Sequence, residues 1–320
     1  MSSTASPVHV VVGAGPVGRA LAAQLAAAGH PVRVLTRSGT GPDLPGVELR
    51  AVDATRPELL AEAASGAAVI YNAANPRDYH RWESIWPPLA ASLLSTARAT
   101  GAVLATVGNL YPYGPVDGPM HESLPDAATY PNGLVRARMW ADALAAHEAG
   151  DVRVVEVRAS DYAGGGAYSH LSVAADSLAA GKTARPIGDP DQPHSWTGTA
   201  DTARTLIAAA DSADAHGRIW LVPTNAARTQ REVLAEVASA AGLPMVRIAP
   251  LGRLGIRAVG MVMPSMRPMA DTFYQFDRPF VVDDRAARER FGITPTPWAE
   301  LVAEIADTAQ RARRTTSRAA

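Results

Sequence analysis

Three glycines in the segment Gly13-Ala-Gly-Pro-Val-Gly18 are spaced to hold a phosphate. The segment directly follows the apolar run VHVVV (8–12) and opens the helical stretch VGRALAAQLAAAG (17–29). In that setting Gly13 permits a tight turn, Gly15 lets backbone approach a pyrophosphate, and Gly18 lets helix and strand pack closely. The first helical turn, opened by Pro16 and Val17, offers unpaired N–H groups from Val17 onward to the anion. The ligand this context implies is a dinucleotide; a glycine turn of purely structural use is the competing reading. The next apolar run, VRVLT (32–36), ends in Thr36-Arg37-Ser38, with no acid to take a ribose 2′-hydroxyl. The planar fork of Arg37 can instead pair with a 2′-phosphate, so NADP is expected in preference to NAD. A solvated surface arginine is the alternative.

Proton chemistry has several candidate carriers. Tyr111, Tyr113, Tyr130 and Tyr162 all fall near the ends of apolar runs or the start of a helix. Open α/β sheets bind ligands at the carboxyl ends of their strands, so all four are expected near one site. An unperturbed tyrosine titrates near ~10 and needs a neighbouring cation to work at neutral pH. For each, the plainer reading is a half-buried ring with a hydrogen-bonded hydroxyl. His121 and Glu122 could also supply a proton, against an exposed loop pair as the alternative. The eight histidines show no HxxxH or HExxH spacing and there is no cysteine, so no metal is expected. No GxSxG elbow exists for hydrolysis.

The elements that must position these groups are legible as alternating short apolar runs and helical stretches. After the first two strands come VELRAV (47–52), AAVIYNAA (67–74), AVLATV (102–107) and VRVVEVRAS (152–160). Helices are expected around Glu58–Ala64, over 84–100 and over 134–149. Continuous apolar strands interleaved with helices imply a parallel sheet covered on both faces. The predicted fold is α/β, a doubly wound parallel sheet of Rossmann type with a smaller C-terminal substrate domain. Beyond 162 the alternation breaks at Gly164–Gly166 and at ARPIGDPDQPHSW, then resumes with a helix near 199–210 and the strand RIWLV (218–222). The dinucleotide-binding domain is therefore expected over 1–165 plus about 195–225, and the substrate domain over about 166–194 plus 226–312. The Met-rich stretch at 261–269 is expected to pack rather than to form a lid. Residues 313–320 read as a frayed basic tail.

Composition narrows the class. The chain has 320 residues, 47% of them hydrophobic, enough for a sizeable core. A net charge of −1 gives no pull toward nucleic acid or anionic membrane. Disulfides and thiolate catalysis are excluded by the absence of cysteine. The start, MSSTASPV, lacks a secretory pattern, and no run approaches the ~18 apolar residues of a membrane span. A cytoplasmic protein is expected, acting on a small-molecule substrate as a monomer or homodimer. Lys182 is the only lysine, and the Ala- and Arg-rich composition suits a GC-rich bacterial genome. That bias accounts for missing surface lysines, but arginine cannot exchange a proton near neutral pH.

In order along the chain, several motifs resemble the short-chain dehydrogenase/reductase superfamily, in its extended and atypical branch of NAD(P)-dependent epimerase/dehydratases. They are the glycine loop, Asp53, Asn72-Ala-Ala-Asn-Pro76, Asn109-Leu-Tyr-Pro-Tyr-Gly114, Arg158-Ala-Ser-Asp-Tyr162, His194-Ser-Trp196 with Asp201, and the closing FDRPFVVDDRAARERFGITPTPWAELV. The resemblance implies that Asp53 contacts adenine, that Ala73, Ala74 and Asn75 line the cofactor, and that Ser160 lies beside the nicotinamide. The same resemblance exposes a departure. These enzymes use Ser or Thr, Tyr and Lys, and by position those become Asn109, Asn132 and Arg136. Arg136 could supply a positive charge and bind the cofactor ribose; Asn109 could hydrogen-bond a carbonyl or oxyanion. The acid would then be a substitute tyrosine, Tyr113 or Tyr130. The expected function is an NADP-dependent oxidoreductase or epimerase-like enzyme on a small organic substrate. The alternative is an NADP(H)-binding protein without hydride transfer, either a redox-sensing regulator or a non-redox isomerase or cyclase.

Overall fold

A computed structural model describes residues 7–164, 166–167, 169–263 and 266–319. Part of the expected glycine cluster (Gly165), Pro264-Ser265 of the Met-rich stretch and the first six residues lie outside them.

The first apolar run forms β1 (Val8–Val12), and Pro16–Ala27 forms α1. They are followed by β2 (Val32–Thr36), β3 (Val47–Ala51), α2 (Pro57–Ala63) and β4 (Ala67–Asn72). Next come α3 (Trp82–Thr100), β5 (Val103–Asn109), α4 (Pro131–Glu148) and β6 (Val154–Ala159). A two-residue strand β7 (Tyr162–Ala163) pairs with β8 (Thr197–Gly198), with α5 (His170–Ala179) between them. Helix α6 (Thr199–Asp211) and β9 (Ile219–Leu221) return the chain to the main sheet. The remaining helices are α7 (Gln230–Ala241), α8 (Arg253–Val262), α9 (Arg267–Asp271), α10 (Arg285–Phe291) and α11 (Trp298–Ala319).

Seven strands pair in the order β3-β2-β1-β4-β5-β6-β9, all parallel. The alternating side-chain period of a strand sends Val11 to one face and Val10 and Val12 to the other. Val11 joins Leu21, Leu25 and Leu206 under α1 and α6. Val10 and Val12 join Leu60, Trp86 and Leu93 under α2, α3 and α4. Each of these buried aliphatic side chains contributes roughly 1.5–3 kcal/mol. Both faces are covered, as the continuous apolar strands required. The chain runs from β1 outward to β3 and then crosses to β4 on the other side of β1. That reversal opens a crevice beyond the carboxyl ends of β1 and β4, where such sheets take their ligands.

A third core lies on the C-terminal side, where α5 and α7 pack with α11 around Trp196, Leu234, Leu301 and Ile305. Helix α11 runs on to Ala319, into the residues read as a basic tail. The packing expected of the Met-rich stretch holds only in part: Met261 and Met263 are 75% and 52% exposed, whereas Met269 packs against the cluster of Ile256 and Phe273. Helix α4 also begins three residues earlier than expected. Tyr130 adopts the extended N-cap conformation and Pro131 takes the first helical position, where its fixed φ fits and its missing N–H costs nothing.

Candidate active site

The glycine loop is built as its spacing implied. Gly13 has φ +102°, a region that side-chain-bearing residues avoid. A Cβ there would lie 2.9 Å from backbone atoms of Ala73 and Ala74, at the end of β4. A Cβ on Gly18 would meet the Gly13 carbonyl oxygen, which is why helix and loop can close together only with glycine. Gly15 differs from both. It is the N-cap of α1, and a Cβ there has no protein atom within 4 Å. The fold therefore does not need glycine at 15; a group approaching the backbone from outside would. Pro16 and Val17 form the first turn behind it.

Of the expected cofactor residues, Ala73 and Ala74 lie directly against this loop. Ala73 donates its N–H to the Val12 carbonyl at 2.9 Å, tying the β4 end to the glycine turn. The buried Asn72 side chain accepts from the Ala74 N–H at 3.3 Å and fixes the next residue. Asn75 is exposed and donates to the Tyr79 hydroxyl at 3.4 Å. Arg37 is exposed beyond β2 and makes no hydrogen bond or ion pair among the described residues. Asp53 accepts from the Thr55 hydroxyl at 2.7 Å and from its N–H at 3.1 Å. These bonds hold its carboxyl below the usual carboxylate range.

Six buried side-chain atoms among the described residues have no hydrogen-bond partner: those of Trp86, Ser92, Thr96, Tyr113, Asn132 and Ser160. Asn132 is 5% exposed and its amide nitrogen has no hydrogen-bond partner; Ser160 is 7% exposed and its hydroxyl has none. Buried polar groups are ordinarily satisfied, so each such orphan calls for a ligand or water. Asn132 sits in the first turn of α4 and Ser160 just past β6, both expected to face a nicotinamide dinucleotide. Together with the open approach to Gly15, they make these residues fit that cofactor.

Arg136 is 5% exposed, donates to the Val107 carbonyl at 2.5 Å and lies 4.7 Å over the Trp86 ring. Among the described residues it forms no ion pair. Burial pushes its pKa down, which Glu156 partly offsets. A buried cation without an ion-pair partner favours an anionic or hydroxyl-rich ligand beside it. Asn109 turns its side-chain oxygen back to accept from the Tyr111 N–H at 3.2 Å, which leaves its amide nitrogen as the donor to a ligand.

Tyr130 is engaged elsewhere, while Tyr113 is buried with a hydroxyl that has no hydrogen-bond partner. Tyr113 is 1% exposed and sits in a cluster with Met120, Leu221 and Phe280, under the Arg158 guanidinium at 4.6 Å. Burial pushes its hydroxyl up to about 12. Tyr130 donates to the Tyr111 carbonyl at 3.0 Å and shares a hydrogen bond of 2.8 Å with the Tyr274 hydroxyl. Burial, with Tyr274 beside it, raises it further. Neither has the depressed pKa an acid–base tyrosine needs, because Arg136 faces other rings and Arg158 is already matched. Tyr111 is likewise raised well above its ordinary value by burial, and Tyr162 to about 12.

Arg158 belongs to a buried ion network that the sequence did not announce. It donates to Glu156 at 2.7 Å and, bidentately, to Asp126 at 2.7 and 3.1 Å. Burial opposes its charge, but the two carboxylates outweigh it and hold it protonated. Asp126 lies in a loop far from Arg158 in the chain, so no local spacing signalled the pair. Glu122 is not a loose loop residue: its carboxylate accepts from the Leu221 N–H at 3.4 Å. His121 is half-buried and pairs with the Ser123 hydroxyl at 2.9 Å. Lys182 is exposed.

With this geometry in place, the comparisons define the class. Residues 9–222 match the NAD dependent epimerase/dehydratase family, and the chain belongs to it. No curated protein matches the sequence. Among solved structures, the chain is similar to dTDP-glucose 4,6-dehydratase from Bacillus anthracis str. Ames in complex with NAD. That likeness has 17% identity and a TM-score of 0.79, covering 96% of this chain and 97% of that one. It is also similar to the Thermus thermophilus UDP-glucose 4-epimerase complex with NAD, at 19% identity and a TM-score of 0.74, covering 95% and 99%. UDP-glucuronic acid 4-epimerase from Bacillus cereus in complex with NAD gives 14% identity and a TM-score of 0.76, covering 96% and 99%. At these identities the likeness is one of fold. No helix among the described residues is long and apolar enough to cross a membrane.

Proposed function

We propose that the protein is an NADP-dependent epimerase-like oxidoreductase acting on a small organic substrate, with an active site that has dispensed with the family's Ser, Tyr and Lys. The observation that carries this reading is the cradle at Gly15. It is the loop glycine whose absent side chain no protein atom explains, and it opens a helix N-terminus suited to a pyrophosphate. A bound nicotinamide dinucleotide would supply the capacity to accept and return a hydride. The chain would contribute the binding surface. Arg37 would pair with a 2′-phosphate, Asp53 and Ala73–Asn75 would line the adenosine and ribose, and Asn132 and Ser160 would satisfy their orphaned groups on the nicotinamide half. Arg136 would hold the adjoining ribose or a substrate oxygen, and Asn109 would donate to a substrate carbonyl.

Absence of acids at the end of β2 supports NADP, whereas the solved relatives named above carry NAD. Titrating the protein with NADPH and NADH by nicotinamide fluorescence decides between them. The expected result is tighter binding of NADPH; equal affinity would remove the role given to Arg37. Turnover is tested with UDP-glucose, dTDP-glucose, UDP-glucuronic acid and a panel of simple carbonyls, following the nicotinamide absorbance band and product chromatography. The raised pKa of Tyr113 and the engaged hydroxyl of Tyr130 favour a second reading, a protein that binds NADP(H) without hydride transfer. That reading predicts different affinities for NADPH and NADP+ and no turnover with any member of the panel.

A further inference from the structure

The carboxyl ends of β5 and β6 converge on a carboxylate that this reading leaves unused. Asp161 lies two residues beyond Ala159, the register partner of Asn109. Its Oδ2 stands 3.0 Å from Nε2 of His194. The other ring nitrogen, Nδ1, lies 3.2 Å from the Gln275 carbonyl oxygen. A carbonyl only accepts, so Nδ1 carries a proton and donates it. A carboxylate also only accepts, so Oδ2 and Nε2 confront each other as two acceptors unless a proton lies between them. The ring cannot turn away. It is 2% exposed and stacks on Phe276 and Phe280, with centroids at 5.2 and 5.1 Å, while Trp196 closes a third side at 4.4 Å. Two buried lone pairs held in opposition would be costly, so the arrangement retains a proton.

The pair also has a direction. The imidazole is 3% exposed and the Asp161 side chain 22%, so the carboxylate is the end that solvent or a ligand can reach. Asp161 acts electrostatically on Tyr79 before α3, Tyr111 after β5, Tyr162 in β7 and Tyr274 after α9. Tyr79, Tyr111 and Tyr162 also feel Arg136 on α4. Asp161 and Arg136 thus act on the same three tyrosine hydroxyls, and Asp161 directly follows Ser160 in the chain.

We propose that Asp161 is the proton-transferring residue of this site and that His194 is its positioning partner, the two holding one shared proton on the line from Oδ2 to Nε2. The proposal rests on the reading that the cleft takes a nicotinamide dinucleotide and a hydroxyl- or carbonyl-bearing substrate. In the step itself a substrate O–H bond breaks and its electron pair stays on oxygen. The proton bonds to the Asp161 carboxylate while the shared proton settles on Nε2. The reverse step returns the proton to the substrate oxygen. No electrons change hands in it. A carboxylate can accept and return a proton, which the amide of Asn132 cannot.

The test compares the full-length protein with Asp161→Asn and Asp161→Glu. Asparagine keeps the shape and can donate to Nε2, so the fold is preserved. Nitrogen NMR of His194 should detect the shared proton at Nε2 in the native protein and its loss in Asp161→Asn. Adding NADP+ should move the native Nε2 resonance. NADPH affinity should stay within about twofold, while kcat on any accepted member of the substrate panel falls about 10²–10⁴-fold. The limb of the pH–rate profile that belongs to the pair should vanish, and Asp161→Glu should restore part of it. A bare Nε2 in the native protein, or a resonance indifferent to NADP+, overturns the proposal even where no substrate turns over. So does an asparagine variant with native kcat and pH profile. A native protein that does not bind NADPH fails at the earlier step, the cofactor reading itself.

Discussion

Replacing Gly15 by alanine separates the needs of the fold from those of the ligand. In the protein alone the new methyl meets no atom within 4 Å, and Gly15 has φ −68°, which alanine adopts without strain. Losing glycine at an N-cap costs up to ~1 kcal/mol. The stiffer unfolded chain returns about 0.4–1 kcal/mol. The two nearly cancel, so the melting temperature should move by less than about 2 °C. A dinucleotide experiences something different. The methyl occupies the approach to the helix N-terminus and pushes a phosphate away from its N–H donors. Losing one such charge-assisted bond costs about 1.5–3 kcal/mol, or roughly 10- to 100-fold in Kd. Scanning fluorimetry and a fluorescence titration with NADPH read the two quantities in parallel. Gly18→Ala is the control: its Cβ collides with the Gly13 carbonyl oxygen, so it should lose stability, at the upper end of the ~1–3 kcal/mol typical of overpacking. A Gly15→Ala protein that melts normally and binds NADPH as tightly as the native one would refute the phosphate cradle.

Other expectations rest on single contacts. Arg37→Ala should weaken NADPH binding about tenfold or more and leave NADH binding nearly unchanged, since only the phosphate distinguishes them; parallel titrations measure it. Arg158→Met should destabilise the protein by about 3–5 kcal/mol in urea denaturation, because it leaves Glu156, itself 3% exposed, without its cation. Glu122→Gln should raise the melting temperature at neutral pH. Burial lifts the folded pKa of Glu122 above its ordinary value of 4.5, so the native protein loses stability as pH rises through the folded value, whereas glutamine does not. Below about 4 both side chains are neutral, and the two melting curves should coincide; a persistent gap there would contradict the assignment.

The sheet was readable because its signal is local and redundant. The strands β1, β2, β4, β5 and β6 are short, mostly apolar runs, interrupted by Arg33 in β2 and by Glu156 and Arg158 in β6, and burial on both faces demands such runs whatever the partner strand is. The glycine loop was readable for a similar reason. Gly13 and Gly18 answer to backbone atoms a few residues away and at the end of the next sheet strand, and their spacing reports that requirement directly. Helix starts were less legible. Pro131 can open a helix or interrupt a loop, and only the fold showed that Tyr130 caps α4. Exposure of Met261 and Met263 was also beyond sequence, since methionine is as apolar on a surface as in a core.

The proton machinery shows the limit most clearly. The sequence placed Asn132 and Arg136 where the resemblance led one to expect a tyrosine and a lysine, and set four other tyrosines near the ends of apolar runs or the start of a helix. Tertiary structure alone decided that Tyr113 lies under Arg158, that Tyr130 spends its hydroxyl on Tyr111 and Tyr274, and that Asp161 faces His194. A side chain's chemistry follows from its type, but its pKa and its reach follow from neighbours brought from distant parts of the chain. Those neighbours are chosen by packing, to which sequence spacing carries no reference.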